Sequence, residues 1–276
     1  MKSVSVNSLA SLITARQKAL VPQIQQLPPP GSRPLTVAGC VAGWITARAA
    51  QALAEQPGVR LDHEATHIFA PRQPALGLNI VLSQIALVLR EAGCLRGWRN
   101  ELLDIYGEGR HLGVIERAAM RPLGMLTRAV HLNAWTPDGR LWIARRALSK
   151  ATDPGLWDTL VGGLVGAGEN LETSLLRESH EEAGLLPENL HDRSPLRMVL
   201  RMHRRLPEGY QVEDMLVSDC VLAESVQPNN LDGEVSEIRT VDLTELFHLL
   251  EAGEFTLEAE VVVLEALKRR LDQGLL

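Results

Sequence analysis

The sequence has little cysteine: Cys40, Cys94 and Cys220 are its only three, the number is odd, and none forms a C-x-x-C pair. A disulfide framework is thereby disfavoured, and the thiols read as buried and reduced in a cytoplasmic protein. It also lacks a long hydrophobic run. The longest apolar stretch covers residues 37–47 and stops at Arg48, whereas spanning a bilayer takes about 20 residues. No targeting segment stands out: MKSVSVNSLASLITARQKAL reads as a short amphipathic helix, not a signal peptide. Nor is there an excess of basic charge. Lys and Arg number 28 against 34 Asp and Glu, for a net charge of −6, so nucleic acid and membrane are not expected partners. An acidic chain still binds anionic phosphates if it recruits a divalent cation.

What is present is apolar material enough for a core, 45% of the residues, in a length that suits two modest domains. Leu27-Pro-Pro-Pro-Gly31 is a stiff extended connector. The pattern predicts helices over 44–55 and 79–92, ended before Pro57-Gly58 and at Gly93, and short strands at Ile68-Phe69 and over 112–115. Residues 1–120 therefore read as a small N-terminal α+β domain, without a metal cluster or phosphate loop in its sequence. Residues 121–276 have another character. Strands over 129–135 and 141–145 flank the turn Pro137-Asp138-Gly139, and further strands are expected over 195–202 and 211–221. A strong helix over 171–183 follows a Gly-rich stretch, and a last helix covers 257–271.

The segment from Gly162 to Leu185 carries the chemistry. Asn170 caps the helix that follows, Glu172 suits its positive end, and Gly184 is a left-handed stop. On this helix Glu178 and Glu182 are four residues apart and about 40° off a common direction, and Glu181 flanks the same face. Three carboxylates so close repel one another, and a divalent cation relieves the repulsion. Hard oxygen ligands in a partial cage suit Mg²⁺, which keeps some waters and shares its shell with substrate phosphates. The bland alternative is a solvated acidic helix end, but acid near a helix C-terminus opposes the dipole. The wider spacing decides between them. Gly163, Glu169, Arg177, Glu178, Glu181, Glu182, Gly184 and Leu185 fit Gly–x5–Glu–x7–Arg–Glu–x2–Glu–Glu–x–Gly–apolar.

That pattern resembles the Nudix box. One position departs from it: a bulky aliphatic is usual after Arg177-Glu178, and here stands Ser179, a change that bears on packing and not on chemistry. The resemblance implies an α+β chain whose second part is a Nudix α/β/α sandwich with a mixed sheet. It also implies that Glu178, Glu181 and Glu182 ligate metal or position water, with the Gly162 carbonyl as a further oxygen ligand. Arg177 and Glu169 would pair to pin the loop against the helix, and Gly163 and Gly184 would serve backbone geometry. The cofactor implied is Mg²⁺, with Mn²⁺ as the alternative, and the reaction is attack of water on a phosphoanhydride in a small diphosphate compound. The base is Glu178 or a late acid, Glu234 or Glu237, for which a solvated loop charge is the rival reading.

The flanks narrow the resemblance. Gly97-Trp-Arg-Asn-Glu101, Ile115-Glu-Arg-Ala-Ala119, His131-Leu-Asn133, Leu141-Trp-Ile-Ala-Arg-Arg146, Lys150-Ala-Thr-Asp-Pro-Gly155, Trp157-Asp158, Asp232-Gly-Glu-Val235 and Gly253-Glu-Phe255 occur in that order. Together they resemble Nudix enzymes with an extra N-terminal domain, similar to the part fused to thiamine pyrophosphokinase in some fungi. That resemblance implies thiamine diphosphate or its oxidised forms as substrate. Arg145, Arg146 and Lys150 are placed to touch phosphate or to be surface charge. Trp98, Trp135 and Trp157 stack on a heteroaromatic ring or pack in the core. Arg201, His203, Arg204 and Arg205 form a basic cluster that reaches an anionic substrate or, more commonly, is a solvated strand end, and His131 is more often a buried strand histidine than a ligand. The rival functions are hydrolysis of a nucleoside diphosphate derivative, a Nudix-fold ligand sensor without catalysis, and isoprenoid diphosphate isomerisation.

Overall fold

The structure, a computed structural model, describes residues 6–70 and 77–276. It opens on helix α1 (Val6–Ile24); residues 1–5 of the helix expected at the start lie outside the described ones. Strands β1 (Arg33–Val37) and β2 (Cys40–Ile45) form a hairpin. This corrects the helix expected over 44–55, of which only α2 (Ala47–Ala52) is helical. The cause is the turn at Ala38-Gly39, where φ is +50° and +84°. Two consecutive positive φ values make the tight turn that matches strand twist, and they fold the apolar run back on itself. Short strands β3 (Val59–Leu61) and β4 (Thr66–Ile68) complete a four-stranded sheet in the order β2-β1-β4-β3. Helix α3 (Leu78–Glu91) and the hairpin β5 (Leu102–Gly107) and β6 (Arg110–Glu116) pack with that sheet around Leu35, Ile45, Leu53, Leu82, Ile85, Leu89 and Ile105.

A short helix α4 (Met120–Leu123) joins this unit to the rest. Gly124 ends it in the left-handed region, at φ +58°, where a Cβ would stand 2.3 Å from the Trp44 carbonyl oxygen. Only glycine meets both demands. The main sheet then begins with β7 (Leu126–Trp135), β8 (Leu141–Arg146), β9 (Trp157–Thr159) and β10 (Val161–Leu164). Helix α5 (Leu171–Ala183) follows, capped by Asn170, whose side chain accepts the Thr173 N–H at 2.9 Å, and stopped by Gly184 at φ +62°. Strands β11 (Arg197–Leu206), β12 (Gly209–Val221) and β13 (Val235–Val241) lead to α6 (Leu243–Glu251) and α7 (Leu257–Asp272).

The sheet runs β11-β12-β7-β8-β13, with β10 paired to β7 and β9 to β8. It is mixed, because β12 runs parallel to β7. Lying between β12 and the other strands, β7 is buried on both faces over nearly its whole length, its polar residues His131 and Asn133 included. The strand period of two sorts its side chains. Val130, Leu132 and Ala134 join Leu175 and Leu185 in the core under α5. Trp135 joins α6, α7 and the apolar side of α1 in the opposite core, through Leu9, Ile13, Leu20 and Ile24. Two helical layers therefore enclose one sheet, and the first helix of the chain is built into the last layer.

Candidate active site

The Gly-rich stretch is strand β10, and α5 leaves it by a short loop. Arg177 closes that loop. Its Nε and Nη2 bind the two Glu169 oxygens at 2.8 and 2.9 Å, a forked pair. Glu169 also accepts the Ser174 hydroxyl at 2.6 Å and the Gly166 N–H at 3.1 Å. The guanidinium holds the Glu169 carboxyl down at about 2. A depressed carboxyl stabilises the fold at pH above its unfolded value of about 4.3. That stability is lost as the pH falls through about 2. The Glu169→Gln variant should therefore melt below the wild type at pH 7, with the gap closing in acid. Thermal melts from pH 7 to pH 2 check this, and a gap that persists at pH 2 refutes it.

The three box glutamates have unequal fates. Glu182 is 5% exposed, and its Oε2 accepts the Gly162 N–H at 2.9 Å. Burial pushes its carboxyl up to about 7, against the opposing pull of Lys150. The Lys150 ammonium stands 3.5 Å from Glu182 Oε1 and also binds Glu234. Glu178 lies against Gly163 so closely that a Cβ on Gly163 would fall 2.0 Å from its carboxyl carbon. Glycine at 163 is thus a packing requirement of that carboxylate. Burial raises the Glu178 carboxyl, and the neighbouring Arg177, bonded at 2.8 Å, pulls the other way. Glu181 is more exposed and takes the same guanidinium at 3.1 Å. Among the described residues no three His, Cys, Asp or Glu side chains form a ready-made metal group. Arg177 instead pairs with Glu178 and Glu181, and Lys150 with Glu182.

A cavity of about 110 Å³ opens beside Gly162 and Gly163, lined also by Arg117, Arg146, Lys150 and Asp158. Of the three candidates for substrate contact, Lys150 lines this cavity and Arg145 and Trp157 do not. Strand β8 turns Arg146 into the cavity, where it binds Asp158 at 2.9 Å, and so turns Arg145 away. Trp157 is 3% exposed in the α7 core, with Arg145 and Arg239 over its ring. Trp135 is likewise core, and Trp98 is tied to Asn100 and covered by Arg90. Glu234 reaches the site through Lys150, while Glu237 pairs with Arg145 and Arg239. Sequence reasoning missed Arg117, Arg121, Gln211, Glu213 and Glu258, all of which line the cavity. Their signal is weak, because they come from separate elements and no single spacing along the chain links them all.

The N-terminal unit grips the box loop directly. Ala167 N–H donates to the Leu102 carbonyl at 2.9 Å and Gly168 N–H to Asp104 Oδ2 at 3.1 Å. Asp104 is itself held by His111 at 2.9 Å and the Tyr106 hydroxyl at 3.3 Å. The Asp104→Ala variant should stay folded and lose about tenfold in turnover, since small misplacement of a reacting group is costly. An unchanged kcat would show that the loop keeps its place without this contact.

An α/β/α sandwich with a strand–loop–helix that gathers buried carboxylates beside basic side chains defines a class, and the family follows from comparison. The chain belongs to the Nudix family: the NUDIX domain model matches residues 125–262, half of it. The uncharacterized protein YJR142W of Saccharomyces cerevisiae is 26% identical over 191 residues, covering 63% of this chain and 56% of that protein. Nudix hydrolase 24, chloroplastic, of Arabidopsis thaliana is 29% identical over 180 residues, 63% of this chain and 49% of that protein. The isopentenyl-diphosphate Delta-isomerase of Leifsonia xyli is 34% identical over 87 residues, 31% of this chain and 47% of that protein. The chain spans about half the length of these curated relatives.

Proposed function

We propose that the protein hydrolyses a phosphoanhydride in a small diphosphate compound with the help of a divalent cation. One observation carries this reading: the carboxylates of Glu178 and Glu182, both largely buried, converge on the backbone of Gly162 and Gly163 beside a cavity lined by Arg146 and Lys150. The residues fit a hard cation, since Glu178, Glu182 and the Gly162 carbonyl are all oxygen donors and the three box glutamates outnumber the cations, Lys150 and Arg177, that face them. Glu181 completes the set from the exposed side. When bound, Mg²⁺ or Mn²⁺ supplies neutralisation of diphosphate oxygens and Lewis-acid activation of water.

The chain's own residues do the rest. Arg177 and Glu169 lock the loop, so Glu178 and Glu182 are positioned before substrate arrives. Lys150 and Arg146 draw the phosphate oxygens into the cavity. Glu178 is the base we favour; Glu234, on the far side of Lys150, is the alternative. The substrate we propose is thiamine diphosphate or an oxidised form, cleaved to the monophosphate. Its support is the resemblance of the flanks together with a cavity that offers cations and hydrogen-bond acceptors. The three cysteines are buried and free, which supports a cytoplasmic setting. The test is a panel under identical Mg²⁺: thiamine diphosphate, oxothiamine diphosphate, isopentenyl diphosphate, a nucleotide sugar and a dinucleotide polyphosphate. We expect the highest kcat/KM for a thiamine compound. A clearly higher value for a nucleotide compound overturns the substrate and leaves the hydrolase reading, and no hydrolysis of any compound overturns both.

A further inference from the structure

The cavity beside the box has a floor that the carboxylates and cations described above do not explain. It is built on the α7 face of the sheet, from His131 of β7, Gln211 and Glu213 of β12, and Glu258 in the first turn of α7. Gln211 is 4% exposed. Its Nε2 donates to Glu213 Oε1 at 3.1 Å and to Glu258 Oε1 at 3.0 Å. This double donation sets the amide's orientation, because the reverse one would press its carbonyl oxygen against two carboxylates. Oε1 of Gln211 is then left without a hydrogen-bond partner among the described residues.

Two more acceptors share that condition, Oε2 of Glu258 and Nε2 of His131. For His131 the tautomer follows from its neighbour. The Thr159 hydroxyl donates to the Val161 carbonyl at 2.7 Å. It therefore accepts from Nδ1 of His131 at 3.3 Å, which leaves Nε2 a bare lone pair. Three buried acceptors from three different elements thus line one cavity without a hydrogen-bond partner among the described residues. Gln211 and Glu258 lie together near the start of β7, and His131 lies further along it. The nearest cation to Glu258, Arg204, stands 3.5 Å from its other oxygen. Buried acceptors are rarely left unmet, and each one unmet is costly. An apolar head group here would seal them off without partners. A head group carrying N–H donors meets them.

We propose that this floor is the subsite for the non-phosphate end of the substrate, and that it selects a heteroaromatic head group presenting N–H donors. The proposal rests on the diphosphate reading of the cavity. An aminopyrimidine fits the description: its exocyclic amine supplies two N–H donors on a flat ring. So does a pyrimidinone, through its ring N–H. A change on the thiazole side of thiamine leaves this end untouched, so the floor would treat thiamine diphosphate and a thiazole-oxidised form alike.

The test compares thiamine diphosphate with its 4′-desamino analogue, which lacks the amine and is otherwise the same. In the wild type, kcat/KM should favour the amine by about tenfold or more, carried mostly by KM, as expected where a site is built to bond a donor. In Gln211→Met and Glu258→Gln, each checked for a folded state by circular dichroism, the preference should shrink toward unity. Equal hydrolysis of both compounds by the wild type overturns the proposal. So does an equal fall for both compounds in the folded variants, which marks the floor as structural. If the wild type instead prefers nucleotides, only the thiamine reading fails. The same comparison then runs on ADP-ribose and its purine-riboside counterpart, with the same two outcomes deciding. Should Gln211→Met not fold, the wild-type comparison and Glu258→Gln still decide.

Discussion

Replacing Glu182 by Gln should lower kcat by at least about a hundredfold, on the order of 3 kcal/mol of barrier, with the fold intact. The side chain is buried and seated on the Gly162 N–H, which a glutamine oxygen still accepts. What the change removes is the negative charge that faces Lys150 and stands near Glu178. In the metal-free protein this relieves repulsion between two acids, offset by the lost attraction to Lys150, so melting should shift by a few degrees only. The charge is indispensable only if a cation is to be held there. The control is therefore a melt with and without Mg²⁺: the wild type should gain stability from the ion and the variant clearly less. A variant that turns over every wild-type substrate at full rate would show that Glu182 has no part in catalysis.

The second large effect is expected far from the site. Removing residues 1–27 should leave a protein that aggregates or loses its fixed tertiary packing, and removing 1–120 should do the same. Helix α1 buries Leu9, Ile13, Leu20 and Ile24 against the α6–α7 layer. At about 1.5–3 kcal/mol for each side chain, the loss is roughly 6–12 kcal/mol, as large as the usual net stability of a domain. Arg16 adds to this. It binds Glu260, which is only 2% exposed, so deletion strands a buried carboxylate. Near-ultraviolet circular dichroism and soluble yield measure the outcome. A soluble, cooperatively melting fragment 28–276 would show that the helix merely decorates the core. This is also why truncation alone cannot isolate the contribution of the N-terminal unit to substrate choice, whereas Asp104→Ala and the Arg117 side of the cavity can.

The sequence was most legible where structure is local. Helix α5 was readable to its ends, because Asn170 and Gly184 act through bonds within a turn of their own positions. Helix α3 was nearly so. Strand β10 was not, since Val161-Gly-Gly-Leu164 has no strand preference of its own and exists by pairing with β7 thirty residues earlier. Strand β13 was hard to read for a related reason, being partly exposed and without a clean alternation. Helix α6 was missed although it carries a local signal, the Asp242 cap. The hairpin of β1 and β2 was hidden by a continuous apolar run whose turn depends on two positive φ values.

The sequence by itself determined the identity of the box, because Glu178, Glu181 and Glu182 are related by one helical period and Arg177 reaches Glu169 within a single loop. It raised the expectation of carboxylate chemistry for the same reason. Only the tertiary structure decided the rest of the site. The phase of β8 chose Arg146 over Arg145 for the cavity, and the packing of α7 took Trp157 into the core. The acceptors Gln211 and Glu258 come from elements 47 residues apart and meet because β12 runs under the start of α7, with His131 of the parallel neighbour β7 lining the same cavity. Spacing along one element survives in a linear pattern, whereas proximity between elements is created by burial of the faces that lie between them.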